Sequence, residues 1–414
     1  MSRHSFLCLS AVVLLAVAAA PASAAWVVTE VPQQAGWSGD TVLYDINDSG
    51  IACGLGNYVS SVSSVAIRFD GTTVTELPYL HPAPATYPFA WASAINSNGL
   101  IAGRSHDAKG VDRAVIWDGA NITLIPYPAD ANTNGDMRAY GINDAGVAVG
   151  YYVSTTTGHP AAFYYDGTTH SMVTALQAVG LGTTGNQSYA DDVNNNSIIC
   201  GEGRDTSGEY SFYTYDIGTG LATNLGRMFV FEGCHASAIN DSGQVIGRGR
   251  SYLGSPLHAL LHDGAFNIID DTIAVAQWSA GITNAGRVAG HADTSTNKWS
   301  WYSDAPGTGS MRTINLPGWS ALALQGINNG DVMVGCGRTT ASPDDDRGCI
   351  IAPPPGDKNH DSDVDLPDFA VFQACFTTTG PVSTDCQEFD FDDDGNVDGD
   401  DYAIFASSID GPTE

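Results

Sequence analysis

Apolar and polar residues alternate along most of this chain in short runs, and the runs return at a regular interval. Copies of the stretch AINDSGQVIG, Ala238–Gly247, align seven times, with anchors at Ile46, Ile95, Ile142, Val193, Ile239, Ile282 and Ile327. Neighbouring anchors lie 43 residues apart at the closest (Ile239 to Ile282) and 51 at the widest (Ile142 to Val193). Eight positions beyond each anchor stands a glycine: Gly54, Gly103, Gly150, Gly201, Gly247, Gly290 and Gly335. Period-two alternation on both sides of the turn predicts a hairpin. Asn and Asp side chains close its turn, and glycine ends it with a positive φ. Ser197 and Asp331 take that glycine position in two copies. Asp tolerates the left-handed region, whereas Ser197 is expected to cost about 1 kcal/mol.

A second pattern follows each of the first six anchors. AIRFDG at Ala66, AVIWDG at Ala114, AFYYDG at Ala162 and ALLHDG at Ala259 run apolar and aromatic residues into Asp-Gly. Looser forms stand at Ser211 and Ser300, and a further strand such as TVTELP comes next. Four strands per repeat of about 45 residues is the pattern of a propeller blade. After the seventh anchor only three strands precede PPP, while Trp26–Pro32 supplies an unassigned one at the other end. Pairing the two leaves no open sheet edge. The predicted fold is mainly β: a seven-bladed β-propeller over 25–352, its last blade closed by the N-terminal strand, plus a small α-helical domain. The paired motifs resemble the HAF-type extracellular repeat family, which implies export and no established activity.

The first 24 residues combine Arg3, an apolar run from Phe6 to Ala20, and Ala22-Ser23-Ala24. That is the pattern of a secretory signal peptide, and it places the protein outside the cell or on its surface. No later stretch is apolar enough to span a bilayer. The net charge of −30 argues against nucleic acid and anionic membranes as partners and suits cation binding. Cys375 and Cys386 are the leading disulfide pair, and Cys336 and Cys349 could join neighbouring strands. Cys53, Cys200 and Cys234 cannot be assigned, and an odd cysteine count leaves one free or paired between chains.

Catalytic patterns are sparse. H-E-x-x-H, G-x-S-x-G and a phosphate-cradling Gly-Lys loop are all missing. Asp191-Asp192 and Asp270-Asp271 could serve a glycosidase, but neighbours along a strand point to opposite faces. His235, His258, His262 and His291 lack metal-ligand spacing. The variable loops of one propeller face carry Tyr79, His81, Tyr87, Trp91, Tyr127 and Trp319, which could stack on sugars; packing between blades is the commoner fate of such rings.

Beyond a Pro-rich linker at 353–356, residues 357–414 concentrate acidic side chains. DKNHDSDVDLPD, from Asp357, and DFDDDGNVDGDD, from Asp390, place oxygen donors at the spacing of a twelve-residue calcium loop. Side chains of Asp357, Asn359, Asp361 and Asp368 with the Asp363 carbonyl would hold one ion. Asp390, Asp392, Asp394 and Asp401 with the Asn396 carbonyl would hold a second, and Asp365 and Asp398 would act through water. Ser362 stands where the sharp turn favours glycine, so the first site is expected to be weaker. Phe369, Phe372 and Phe376, then Tyr402, Phe405 and Ile409, repeat helical spacing after each loop. This doubled arrangement resembles a type I dockerin, and the Cys375–Cys386 insertion resembles dockerins of planctomycete-type secreted proteins. The resemblance implies a cohesin-like partner, read through Leu366, Pro367, Gly399 and Asp400, and often a polysaccharide-degrading assembly. The expected function is that of a secreted, calcium-binding, non-catalytic binding or scaffold protein. The alternatives are a carbohydrate-active enzyme (hydrolase or lyase) and a structural surface protein.

Overall fold

Each repeat folds into four antiparallel strands, and seven such sheets are present in the computed structural model. It describes residues 26–409 apart from 59–62, 82–88, 184, 228–233, 251–255, 270–275, 294–297, 304–310, 315, 355, 358–363, 377–385, 387–388 and 392–393. Blade one runs Trp37–Ile46, Ala52–Tyr58, Ser64–Phe69 and Val74–Glu76. Blade seven joins Trp319–Ile327, Met333–Thr339 and Arg347–Ala352 to the N-terminal Val27–Glu30, whose Val27 pairs with Ala352 and Glu30 with Cys349. The chain divides into two compact units, one of them Trp26–Pro353 and the other including Pro354–Glu414.

The innermost strand of every blade carries a β-bulge two residues before its anchor. The extra residue turns the preceding carbonyl toward the second strand. That carbonyl explains the seven glycines. A Cβ at Gly103 or Gly150 would overlap the backbone oxygen of Trp91 or Arg138, and the other five face the same obstruction.

The anchor-following Asn does more than close a turn. Asn143 Oδ1 accepts from Val147 N at 3.0 Å within its own blade, while its Nδ2 donates to Asn194 O of the next blade at 3.0 Å. Asn47, Asn96, Asn194 and Asn328 repeat this double role, and Asn240 passes the belt to Thr283 O. Thr283 Oγ1 still accepts from Arg287 N, but threonine has no amide to donate onward, so the belt breaks there. One residue further on, the Asp144 amide donates to Asn195 Oδ1 and the Asn329 amide to Asp48 Oδ1, forming a second inter-blade ring. These polar contacts, buried in the Asn belt and exposed in the second set, link neighbouring blades around the axis. Apolar cores lie between adjacent blades, as with Trp117, Ile67 and Phe163, all fully buried.

Ser197 and Asp331 adopt positive φ, 61° and 59°, as the repeat requires. Asp331 gains an ion pair with Arg287, and the Ser197 amide donates to Asn194 O at 3.1 Å, closing its turn. The Cys336–Cys349 pairing does not form. Cys336 lies opposite Gly348 and Cys349 opposite Gly335, so the two side chains project to opposite faces of the sheet. Cys53, Cys200, Cys336 and Cys349 are buried thiols, and Cys234 is buried too.

In the second unit, Leu366–Cys375 and Gly399–Ser408 are helices, each opened by a capping box: Asp365 with Asp368, and Asp398 with Asp401. Its core joins Val364, Phe372, Phe389, Val397 and Phe405, with the Phe372 and Phe405 rings stacked 4.7 Å apart. Cys375 and Cys386 are disulfide-bonded. Of the residues at that helical spacing, Phe376, Tyr402 and Ile409 are exposed; Phe376 and Ile409 fall at the C-caps, past the last helical turn. Among the described residues no helix is long and apolar enough to cross a membrane.

Candidate functional site

The bulges bring chemistry to the propeller axis. At the end away from the Asn belt they open a cavity of about 750 Å³, lined by Tyr44, Tyr140, Tyr189, Asp191, Glu202 and Arg248 among others. Two repeat positions supply its arginines, Glu202 and His235. The residue four before each anchor pairs across the sheet with the residue nine after it: Trp91 with Arg104, Tyr189 with Glu202, and His235 with Arg248. Blades one and seven carry Val42 with Leu55 and Ala323 with Cys336 at these positions, and contribute polar groups instead from their bulges, Tyr44 and Gln325.

Asp191 and Asp192 both line the cavity, contrary to the alternation expected of strand neighbours. The bulge at Asp191 breaks the two-residue period. Their roles differ. Asp192 ties two blades together, accepting from Val193 N at 2.8 Å and Ile239 N at 3.0 Å, and Asp45 does the same for Ile46 and Ile95. Burial pushes Asp192 up to about 7 and Asp45 up to about 6. Asp191 instead hydrogen-bonds Glu202, and burial together with that carboxylate pushes it well above the usual range. Glu202 is itself raised to about 7 by burial. Burial therefore favours the protonated form of both carboxyls.

Both oxygens of Glu202 are engaged: Oε1 contacts His235 Nδ1 at 2.8 Å, and Oε2 accepts from Ala236 N at 3.0 Å. Burial and the Arg248 charge push His235 below its ordinary value, so its imidazole is neutral at pH 7 and Nδ1–H is the donor. Arg104 lies over Trp91, 4.0 Å from the ring centroid, and shares buried Asp112 with Arg138. Arg248 lies 5.8 Å from the Trp278 ring. At the other end of the axis the Asn and Asp rings line a smaller opening of about 170 Å³.

Of the loop aromatics, Trp91 reaches the cavity. Tyr79, Tyr127 and Trp319 pack against blade cores, with Tyr127 donating to Gly135 O and lying under Arg113. His81 is exposed, and Tyr87 lies outside the described residues, as do Asp270 and Asp271. His235 joins the cavity through Glu202, His262 packs edge-on to Phe266, and His291 stacks on Trp278. Glu202 and Arg248 were passed over in the sequence, although each follows a repeat glycine by one residue.

In the acidic unit, Asn359, Asp361, Asp363 and Asp392 lie outside the described residues. Among those described, no three acidic, His or Cys side chains converge as a metal centre. Asp390 accepts from Asp394 N and Gly395 N, and Gly395 takes φ +89° at the sharp turn. Asp368 and Asp401 are fully buried at the ends of the two loops, and Asp357 nearly so. Asp401 accepts from Phe391 N and Asp398 N, wrapping the second loop back on its helix. Asp398, expected to act through water, accepts from Asp400 N as a helix cap. Leu366, Pro367, Gly399 and Asp400 sit exposed at the first turns of the two helices.

Residues 74–227, the outer edge of blade one through blade four, match a family model described as a protein of unknown function, DUF3466. No curated protein matches. Among solved structures, a prolyl endopeptidase is similar at 13% identity and TM-score 0.49 over 72% of this chain, and the chain spans only 46% of that one. TolB from Acinetobacter baumannii is similar at 13% identity and TM-score 0.43, covering 64% of each chain. The β-propeller domain of the trilobed protease from Pyrococcus furiosus is similar at 12% identity and TM-score 0.44, over 76% of this chain and 95% of that one.

Proposed function

We propose that this is a secreted, non-catalytic binding protein whose axial cavity holds the ligand and whose acidic unit is a calcium-dependent docking module. The cavity carries the reading: aromatic faces, guanidinium groups and a hydrogen-bonded carboxyl pair converge there from separate blades. Aromatic faces stack on sugar C–H surfaces while charged groups fix hydroxyls, so a glycan is the ligand class that suits it. The protein, retained on a panel of insoluble and soluble polysaccharides, is expected to release no reducing ends. Release of new ends would make the propeller an enzyme, and retention on none would remove the glycan reading.

Asp191 with Glu202 favours the enzyme as a second reading. A glycosidase, however, separates its carboxyls by about 5–9.5 Å to admit sugar or water. Direct hydrogen bonding between these two leaves no such gap.

For the acidic unit, the donor set is all oxygen, and fully buried Asp368 and Asp401 close loops rich in further carboxylates, which fits a hard cation. Calcium there would neutralise charges that otherwise repel and would lend its binding energy to the fold. The dockerin resemblance extends the proposal to a cohesin-like partner met by the exposed first turns at Leu366-Pro367 and Gly399-Asp400. Calorimetric titration of the full chain should show uptake of about two calcium ions. Asp401→Asn should abolish the second site and leave the first. Titration without heat or protection by calcium would remove the module's metal role.

A further inference from the structure

We propose that the axial cavity selects a carboxylate-bearing sugar, a uronic acid unit, with Arg248 as the anchor for its carboxylate. This rests on the glycan reading above and names the charge that the ligand brings.

The chain holds 46 acidic residues against 16 Lys and Arg, so counter-ions are abundant. Arg104, the other arginine that lines the cavity, uses one of them, sharing Asp112 with Arg138. Arg248 lines the cavity, is half-buried, and makes no ion pair within 4.0 Å among the described residues. Its Nε is buried without a hydrogen-bond partner. The acids nearest to it are already committed. Glu202 spends both oxygens on His235 and Ala236, and Asp191 is hydrogen-bonded to Glu202. Burial favours the protonated form of both, which weakens the pair as a counter-ion.

A guanidinium held out of bulk water without a partner is costly, and a planar carboxylate is the group that matches its fork. A sugar ring attached to that carboxylate would lie against Tyr189 and Tyr140. The hydroxyls of Tyr44 and Tyr140 make no hydrogen bond among the described residues and remain available to sugar hydroxyls. A densely charged polyanion suits the site poorly, because the net charge of −30 repels it over long range, and of the two arginines lining the cavity only Arg248 is without an ion pair among the described residues.

The probes are methyl α-galacturonoside, which carries a single carboxylate, and its methyl ester, titrated into the full chain with calcium present. The acid form is expected to bind roughly tenfold more tightly than the ester, and to weaken as salt rises. Arg248→Gln should abolish that preference while leaving the ester's affinity unchanged, and Arg248→Lys should retain part of it. The salt dependence of the unmodified protein tests the same point should the variants fail to fold. Equal affinity for acid and ester would overturn the carboxylate assignment and leave the glycan-binding reading intact. Failure of both probes together with neutral glycans would overturn both.

Discussion

Replacing Gly150 by alanine is expected to destabilise the propeller by about 3 kcal/mol or more, a large effect for a single methyl group. Gly150 stands eight residues after its anchor, on the second strand of blade three, with an ordinary strand backbone. Conformational freedom is therefore not why glycine is there. An added Cβ would overlap the Arg138 carbonyl oxygen and lie 2.9 Å from Ala139 Cα, both backbone atoms of the inner strand. That strand cannot easily retreat. Its bulge is held between the pairs Ala139–Gly150 and Gly141–Val149, and its end is tied to the next blade by Asn143. Gly158→Ala is the comparison: its added Cβ meets nothing within 4 Å, and positive φ alone limits its cost to about 1–2 kcal/mol. Urea midpoints of both variants check the difference. A loss at Gly150 no larger than at Gly158 would mean that the bulge relaxes freely.

The repeat glycine shows how much of the fold the sequence carries and where legibility stops. Seven anchors, seven glycines and the orphan strand near Trp26 are enough to count blades and close the ring. The reason for each glycine is not local, because it depends on a carbonyl that a bulge on the neighbouring strand turns toward it. Asn47 and its equivalents are legible as turn residues from their own surroundings. Their second role, donating to the following blade, exists only once the blades form a circle.

The site is less legible for the same reason. Strict alternation separates Asp191 from Asp192, and a bulge leaves no mark in an apolar–polar pattern. A signal was nevertheless present. Aligning the residue nine after each anchor gives Leu55, Arg104, Tyr151, Glu202, Arg248, His291 and Cys336. Charge and aromatic chemistry at five of the seven points to the position lining the axis. The loop aromatics mislead because size and exposure are not encoded together: Tyr79, Tyr127 and Trp319 serve the blade cores.

The Asp191–Glu202 pair sets a pH dependence opposite to the usual acid unfolding. Glu202 titrates near 7 in the folded protein, against an ordinary value of 4.5, because burial opposes its charge. Between those values the folded state keeps a proton that the unfolded chain has released. Stability from this group therefore falls as pH rises from about 4 to about 7, then levels off. Glu202→Gln removes the titration while keeping side-chain shape. Its stability relative to the unmodified protein is expected to improve by on the order of 2 kcal/mol between pH 5 and pH 8. Comparing the two proteins cancels the carboxylates elsewhere, whose repulsion changes in both alike. The lost charge-assisted bonds to His235 and Ala236 lower the variant's stability at alkaline pH and oppose the gain there, so the slope between the two pH values is the quantity to read. Asp191→Asn should keep the step, because burial of Glu202 is its cause and an amide at position 191 can still donate to it. Urea midpoints at four pH values would settle it: parallel curves for all three proteins would mean that no proton is held in the cavity, and both carboxyls would then be ionised.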